Sequence, residues 1–309
     1  MRSAELAIDV HGLTKRFGSK VAVNHADIQV PSGEVWGFLG PNGSGKTTTI
    51  RMLCGLLHAD EGEGTCLGYD FRTQSEQIKR EVGYMTQKFS FWEDLSIREN
   101  LDFAARMYRV PKARAAVTGA LERLGLVKRQ AQLAGDLSGG WKQRLALAAC
   151  MLHSPKMLLL DEPTAGVDPK ARRDFWDEIH RLSGEGLTVL VSTHYMDEAE
   201  RCDRIVYINL GDIVARGTVA EVIARSDLHT FVVEGEGARA LAARLRGYPG
   251  VEFVAFFGAA LHVSGKDRNA LEAALAPFRA QAGLSIREAK PSLEDVFIQL
   301  QEQGRGDFA

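Results

Sequence analysis

Residues 34–57 constrain the fold of this chain more than any other stretch. EVWGFL, Glu34 to Leu39, is a short apolar run of strand type. It leads directly into GPNGSGKT, Gly40 to Thr47, and then into a segment where Ile50, Leu53 and Leu57 share a helical spacing. Every fixed position of the pattern G-x-x-x-x-G-K-[ST] is filled. Strand, glycine loop and helix in this order make an anion cradle. Gly40, Gly43 and Gly45 let the backbone pass close to a phosphate, with Pro41, Asn42 and Ser44 between them. Successive N–H groups then turn inward, and the helix adds its positive end. Lys46 supplies a mobile cation for β and γ phosphates, the Thr47 hydroxyl a magnesium ligand, and Thr48 a further phosphate contact. A plain glycine turn opening a helix with one exposed lysine is the alternative.

The rest of the chain alternates apolar strands with helices. LAIDVHGL and VAVNHADIQV flank the turn-like FGSK and predict an antiparallel ribbon in the first thirty residues. ENLDFAARMYRV and ARAAVTGALERLGLV, on either side of Pro111, read as amphipathic helices, and WKQRLALAACMLH as a third helix. MLLLD and LTVLVSTH are continuous apolar runs with a helix between them, the pattern of parallel strands covered on both faces. From His229 onward the segments TFVVEG, ARALAARLRG, VEFVAFF, ALHVSG, NALEAALAPFRAQ and LSIREA spell βαββαβ, the ferredoxin-like order. PSLEDVFIQLQ then predicts a terminal helix capped by Ser292, with Asp295 three residues on. The expected domains are 5–228 and 229–309, with packing or regulation as the role of the second.

At 309 residues the chain can hold one large domain and one small one. Lys and Arg total 38 against 40 acidic residues, so net charge gives no general pull toward nucleic acid. Cys54, Cys66, Cys150 and Cys202 show no C-x-x-C spacing and read as small buried hydrophobes in a reducing setting. The N-terminus lacks the apolar core of a signal peptide, and no stretch is apolar enough to cross a bilayer.

Two further motifs narrow the reading. LSGGWKQR, Leu137 to Arg144, lies thirteen positions ahead of MLLLDE, Met157 to Glu162. The amides of Ser138, Gly139 and Gly140 precede a long helix and form a second anion site. Asp161 closes an apolar strand, with Glu162 one residue beyond; two carboxylates capping the next segment are the alternative. With the glycine loop, these motifs resemble the ATP-binding subunit of an ABC transporter, over residues 5 to about 225. The implied fold is a P-loop NTPase α/β domain with an N-terminal antiparallel subdomain and a helical insertion at about 88–150. A small α+β ferredoxin-like domain follows it.

The resemblance assigns roles residue by residue. Asp161 joins Thr47 as a magnesium ligand, and Glu162 polarises the attacking water. His194, after the last apolar strand, contacts the γ-phosphate and the Glu162 region. Gln87, after EVGYMT, matches the glutamine that reaches the metal or water and senses the transmembrane partner. Phe17 stands where an aromatic ring, more often tyrosine, stacks on adenine; a core position is its other reading. Asp168, in AGVDP, matches the loop that crosses between two subunits, or else simply starts a helix. Trp141 departs from the glutamine often found after LSGG. One chain cannot close both anion sites on one ATP; the resemblance implies a head-to-tail homodimer, in which the signature loop of one subunit covers the γ-phosphate bound in the other.

GYMTQKFSFWEDLSIRENL, DEPTAGVDP, STHYMDEAE and PSLEDVF look like the ATPase subunits of ABC-2 type exporters, including multidrug and antibiotic efflux systems. The resemblance therefore implies ATP hydrolysis with Mg²⁺ and a separate polytopic permease. It also implies a peripheral place on the cytoplasmic face of the inner membrane, and no nucleic-acid partner. Soluble ABC ATPases acting on ribosomes or DNA, and a regulatory ATP-binding protein, are the rival readings. Phe89, Phe91, Trp92 and Leu95, just after Gln87, form either core or a groove for a permease helix.

Overall fold

The computed structural model describes residues 5–281 and 283–306, with side chains to residue 301. The ribbon expected at the N-terminus forms from β1 (Leu6–Phe17) and β2 (Lys20–Pro31), which turn through Gly18 and Ser19 so that Phe17 opposes Lys20 at the tip. After β3 (Val35–Leu39) and α1 (Lys46–Leu53) the chain returns to the ribbon with β4 (Glu61–Cys66) and β5 (Tyr69–Asp70), completing a sheet of order β2-β1-β4-β5. The helix α1 stops at Leu53, four residues short of the apolar spacing. Gly55 at φ 71° allows Leu56 to donate to the Arg51 carbonyl and Gly55 to that of Met52, which ends the helix in a Schellman motif. Leu57 still packs on the core, but from an irregular segment.

Next come α2 (Ser75–Glu81), β6 (Val82–Met85), α3 (Ile97–Met107), α4 (Ala113–Arg123), α5 (Gly139–Met151), β7 (Met157–Asp161), α6 (Pro169–Gly184), β8 (Thr188–Thr193), α7 (Met196–Ala199), β9 (Arg204–Asn209) and β10 (Asp212–Gly217). A six-stranded sheet results, of order β10-β9-β3-β8-β7-β6, with every pair from β9 to β6 parallel. Parallel strands need covered faces. β3, β7 and β8 are buried at every residue, which is why they read in sequence as unbroken apolar runs. β9 and β10 meet through Leu210 and Gly211, both at positive φ, as a two-residue hairpin turn requires.

A second unit takes the chain from residue 216. It opens with α8 (Val219–Arg225), whose capping box is Thr218 with Glu221, and α8 packs on the terminal helix α11 (Leu293–Gly306). That contact places the division ahead of His229. Between these helices run β11 (His229–Gly235), α9 (Ala238–Leu245), β12 (Phe253–Phe257), β13 (Ala260–Gly265), α10 (Arg268–Leu275) and β14 (Leu284–Ala289). The sheet order β12-β13-β11-β14 is that of a ferredoxin-like βαββαβ unit, and its neighbouring strands all pair antiparallel. Ser292 and Asp295 exchange hydrogen bonds at the start of α11, as the sequence suggests. Asp295 also receives His262 at 3.0 Å.

All four cysteines are buried and free. Burial pushes the Cys54 thiol up to about 11 and that of Cys150 up to about 12, and raises Cys66 and Cys202 as well. The thiolate is the reactive form. A neutral alkylating reagent is therefore expected to label none of the four in the native protein and all four after unfolding, read by intact mass; native labelling at any one would contradict this packing.

Candidate functional site

A parallel sheet delivers the carboxyl ends of its strands to one edge, and the register sets which residues meet there. Leu39 pairs with Thr193, Asp161 with Ser192, and Met85 with Leu160. The residues following these positions are the glycine loop, His194, Glu162 and Gln87. Four motifs scattered over 150 positions of sequence thus converge because their strands are adjacent.

The glycine loop is shaped by close approaches. A Cβ on Gly40 would stand 2.2 Å from the Ile208 carbonyl, and one on Gly45 2.4 Å from that of Ala22; both residues have positive φ. Lys46, only 4% exposed, folds back and donates to the carbonyls of Gly40 at 2.8 Å and Pro41 at 3.1 Å. Burial pulls its ammonium below the ordinary lysine value, with the Glu162 carboxylate at 3.5 Å opposing that shift. Ser44 Oγ is buried without a partner, pointing to an acceptor that the protein itself does not supply. An anion in the loop fits all three observations: it would satisfy Ser44, take over Lys46 and occupy the space the glycines keep clear.

Thr47 donates its hydroxyl to Asp161 at 3.0 Å, bringing together two oxygens suited to magnesium. Asp161 is steadied from behind by Ser192 Oγ at 2.7 Å, and the same hydroxyl accepts the Glu162 amide at 3.0 Å. Glu162 has φ 47°, a backbone state that costs a non-glycine residue free energy and is typical of functional positions. Around its buried carboxylate stand Lys46, the Gln87 amide at 2.9 Å and His194 Nδ1 at 3.3 Å. The His194 contact lacks hydrogen-bond alignment, so its ring is adjacent to Glu162 without being locked to it.

Lys46, Thr47, Gln87 and Glu162 open on a cavity of about 460 Å³ that also meets Asn42, Gly43, Thr48 and Phe17; Asp161 and His194 are not in its lining. Phe17 is 51% exposed at the rim, which removes the core reading, and Lys15 Nζ lies over its ring, 5.6 Å from the centroid.

Two predicted elements stand apart. None of Ser138, Gly139 and Gly140 lines this cavity; Ser138 and Gly139 are exposed at the head of α5, and the Ser138 side chain makes no cap bond. Gly140 is needed for packing, since a Cβ there would lie 2.5 Å from that of Ala171 on α6. Asp168 caps α6 by accepting the amides of Lys170 and Ala171, so within one chain the helix-start reading holds. The guanidinium groups of Arg129 and Arg144 both lie over the Trp141 ring, 4.6 and 5.3 Å from its centroid.

None of Phe89, Phe91, Trp92 and Leu95 is buried in this chain, against the core reading. Phe89 and Phe91 line a groove of about 150 Å³ with Tyr108 and Met85, while Trp92 packs edge-on to Phe103. Asn100, fully buried, holds this segment by donating to the carbonyls of Trp92, Leu95 and Ser96 and accepting the Trp92 amide. Neither Asn100 nor Ser192 is marked by local sequence. Ser192's position at the end of an apolar strand, beside His194, is the only local hint.

A buried carboxylate beside a glycine phosphate loop, on the carboxyl edge of a parallel sheet, defines a nucleotide-binding protein of the P-loop class. Residues 23–165 match the family model described as ABC transporter. The chain is 36% identical over 302 residues to the Nod factor export ATP-binding protein I of Rhizobium sp. (strain N33), covering 96% of this chain and 97% of that one. It is 43% identical over 225 residues to the probable multidrug ABC transporter ATP-binding protein YbhF of Escherichia coli (strain K12). That alignment takes in 72% of this chain but only 39% of YbhF's length. Among solved structures, an ATP-binding cassette of an ABC transporter in its ADP conformation superposes with a TM-score of 0.63 at 27% identity, covering 70% of this chain and 92% of that one. The chain belongs to the ABC transporter family, among its ATP-binding subunits.

Proposed function

We propose that this chain hydrolyses ATP with Mg²⁺ and thereby powers export through a separate ABC-2 type membrane permease. The observation that carries the reading is the grouping around Glu162: a carboxylate beside the phosphate-loop lysine, the metal-binding pair Thr47 and Asp161, and His194. Magnesium, held by Thr47 and Asp161 with Gln87 in reach, would neutralise charge on the β and γ phosphates. Lys46 would exchange its two carbonyl acceptors for phosphate oxygens. Glu162 would accept the proton of the attacking water, and His194 would bear on the γ-phosphate. Phe17 would stack on the adenine.

The exposed head of α5 supports a second copy as partner. Its Ser138-Gly139-Gly140 amides would close over the γ-phosphate bound by the other chain, with Asp168 at the crossing, in a head-to-tail homodimer. No described helix is long and apolar enough to span a membrane. We read the permease as a separate polypeptide and place this chain peripherally on the cytoplasmic face of the inner membrane. The relatives named for multidrug transport and Nod factor export favour export as the direction. The groove at Phe89 and Phe91 is the proposed seat of a permease helix, and the second unit is read as packing or regulatory.

The test is phosphate release by the purified chain with ATP and magnesium, together with copurification of a polytopic membrane protein. Phe91→Ala or Trp92→Ala is expected to weaken that copurification by about thirtyfold, the effect of removing a ~2 kcal/mol anchor, while melting temperature and basal ATPase stay within error. A large fall in melting temperature with normal permease binding would return the cluster to the core. Absence of ATP turnover would overturn the reading itself.

A further inference from the structure

Glu198 is a carboxylate at 1% exposure in the short helix α7, close to the site but touching none of its phosphate-binding groups. Burying a carboxylate is costly unless its oxygens are fully engaged. Here each oxygen accepts a hydroxyl from a different catalytic segment. Oε1 takes the Thr164 hydroxyl, two residues after Glu162, and Oε2 takes that of Thr193 at 2.6 Å, immediately before His194. The Thr193 oxygen in turn accepts the Tyr195 amide at 3.0 Å, closing the turn that carries His194. Thr164 anchors the other turn, in which the Ala165 amide bonds to the Glu162 carbonyl and the Val167 amide to that of Thr164.

A third segment completes the arrangement. Arg172 on α6, one turn beyond Asp168, places Nε 3.6 Å from Glu198 Oε1, and this buried Nε has no hydrogen bond of its own. Its guanidinium lies 4.5 Å from the ring centroid of Tyr195 and reaches Asp197 at 3.5 Å. The one carboxylate therefore spans the chain on both sides of the reacting groups and faces the guanidinium of the helix that Asp168 starts. Thr164, Thr193 and Glu198 are all buried, so no solvent competes for these bonds.

We propose that Glu198 is a positioning residue that couples the Glu162 turn to the His194 turn, setting the distance between general base and γ-phosphate contact and transmitting a shift of one to the other. The inference rests on the ATP-hydrolysing role proposed above for its catalytic consequence, but not for its structural one. Positional errors of about 1 Å at a reacting centre cost on the order of a hundredfold in rate, so a bond network that fixes this distance acts on turnover rather than on nucleotide affinity.

Thr164→Val and Thr193→Val each remove one arm while conserving volume, and Glu198→Gln keeps an acceptor and lets a hydroxyl rotate to receive its amide. For all three variants, kcat is expected to fall by at least about tenfold for the valines and less for Glu198→Gln, with ATP KM unchanged. Amide hydrogen exchange supplies a readout independent of turnover. Thr164→Val is expected to speed exchange at the Tyr195 amide, on the far side of the carboxylate, and Thr193→Val at the Val167 amide. Exchange that changes only on the substituted side, or variants that lose melting temperature while keeping wild-type kcat, would overturn the coupling and leave Glu198 as a packing residue. If the wild-type chain shows no turnover, the proposed function fails and the cross-turn exchange alone decides this inference.

Discussion

Glu162→Gln is expected to cut steady-state ATP turnover by at least a hundredfold while leaving ATP binding intact. General-base catalysis contributes about 10²–10⁴ in rate, and an amide of the same volume can accept Gln87's hydrogen bond but cannot take a proton from water. A second effect follows from the geometry. Lys46 is buried 3.5 Å from Glu162, whose charge offsets part of the cost of holding that ammonium away from water. Without the carboxylate, the nucleotide-free site loses that compensation and keeps only the weaker influence of Asp161. Phosphate oxygens restore a counter-charge. The variant should therefore melt below wild type without nucleotide and gain more than wild type from saturating ATP and magnesium. Turnover within a few-fold of wild type would remove Glu162 from the base role. An unchanged nucleotide-induced melting shift would show that its charge does not matter to Lys46.

What could be read from sequence tracks how local the physical cause is. EVWGFL, MLLLD and LTVLVSTH were legible as strands because burial on both faces leaves no polar alternation to misread. The glycine loop was legible because backbone geometry demands glycine at particular places, as the 2.2 Å approach at Gly40 shows. Helix ends were less legible. Apolar spacing carried α1 on to Leu57, although Gly55 was available as a stop signal. The helix α3 starts two residues ahead of ENLDFAARMYRV, at a capping box of Ser96 and Glu99 that S-x-x-E spells out. Thr218 with Glu221 marks the opening of the second unit in the same way.

The groups that act through tertiary meetings left almost no local trace. Glu198 is an acidic residue in an acidic stretch, MDEAE, and only the adjacency of β7 and β8 brings Thr164 and Thr193 to it. Asn100 looks like any polar helix residue until the turn at Trp92 folds over it. Asp168 shows the opposite case. Its N-cap is ordinary local chemistry, and any second role depends on a chain that the sequence does not contain.

That dependence motivates the second large effect. Ser138→Arg is expected to leave ATP binding by an isolated chain unchanged and to abolish ATP-dependent dimerisation. Ser138 is exposed, makes no cap bond to α5 and does not line the cavity holding Lys46 and Glu162, so a larger side chain disturbs neither the helix nor the local nucleotide site. In the proposed head-to-tail dimer the same position presses against the other chain's γ-phosphate. An arginine there adds several heavy atoms at the position proposed to meet that phosphate. Its positive charge could attract phosphate, but the guanidinium lies at the end of a long stem, so the amides of Gly139 and Gly140 would be held away from it. Sedimentation in ATP, in a Glu162→Gln background that blocks turnover, separates the two outcomes: Glu162→Gln alone should sediment as a dimer and the double variant as a monomer with nucleotide bound. A stable dimer of the double variant would rule out a sandwich closed by Ser138. Loss of nucleotide binding by the monomer would instead show that the head of α5 contributes to the site within its own chain.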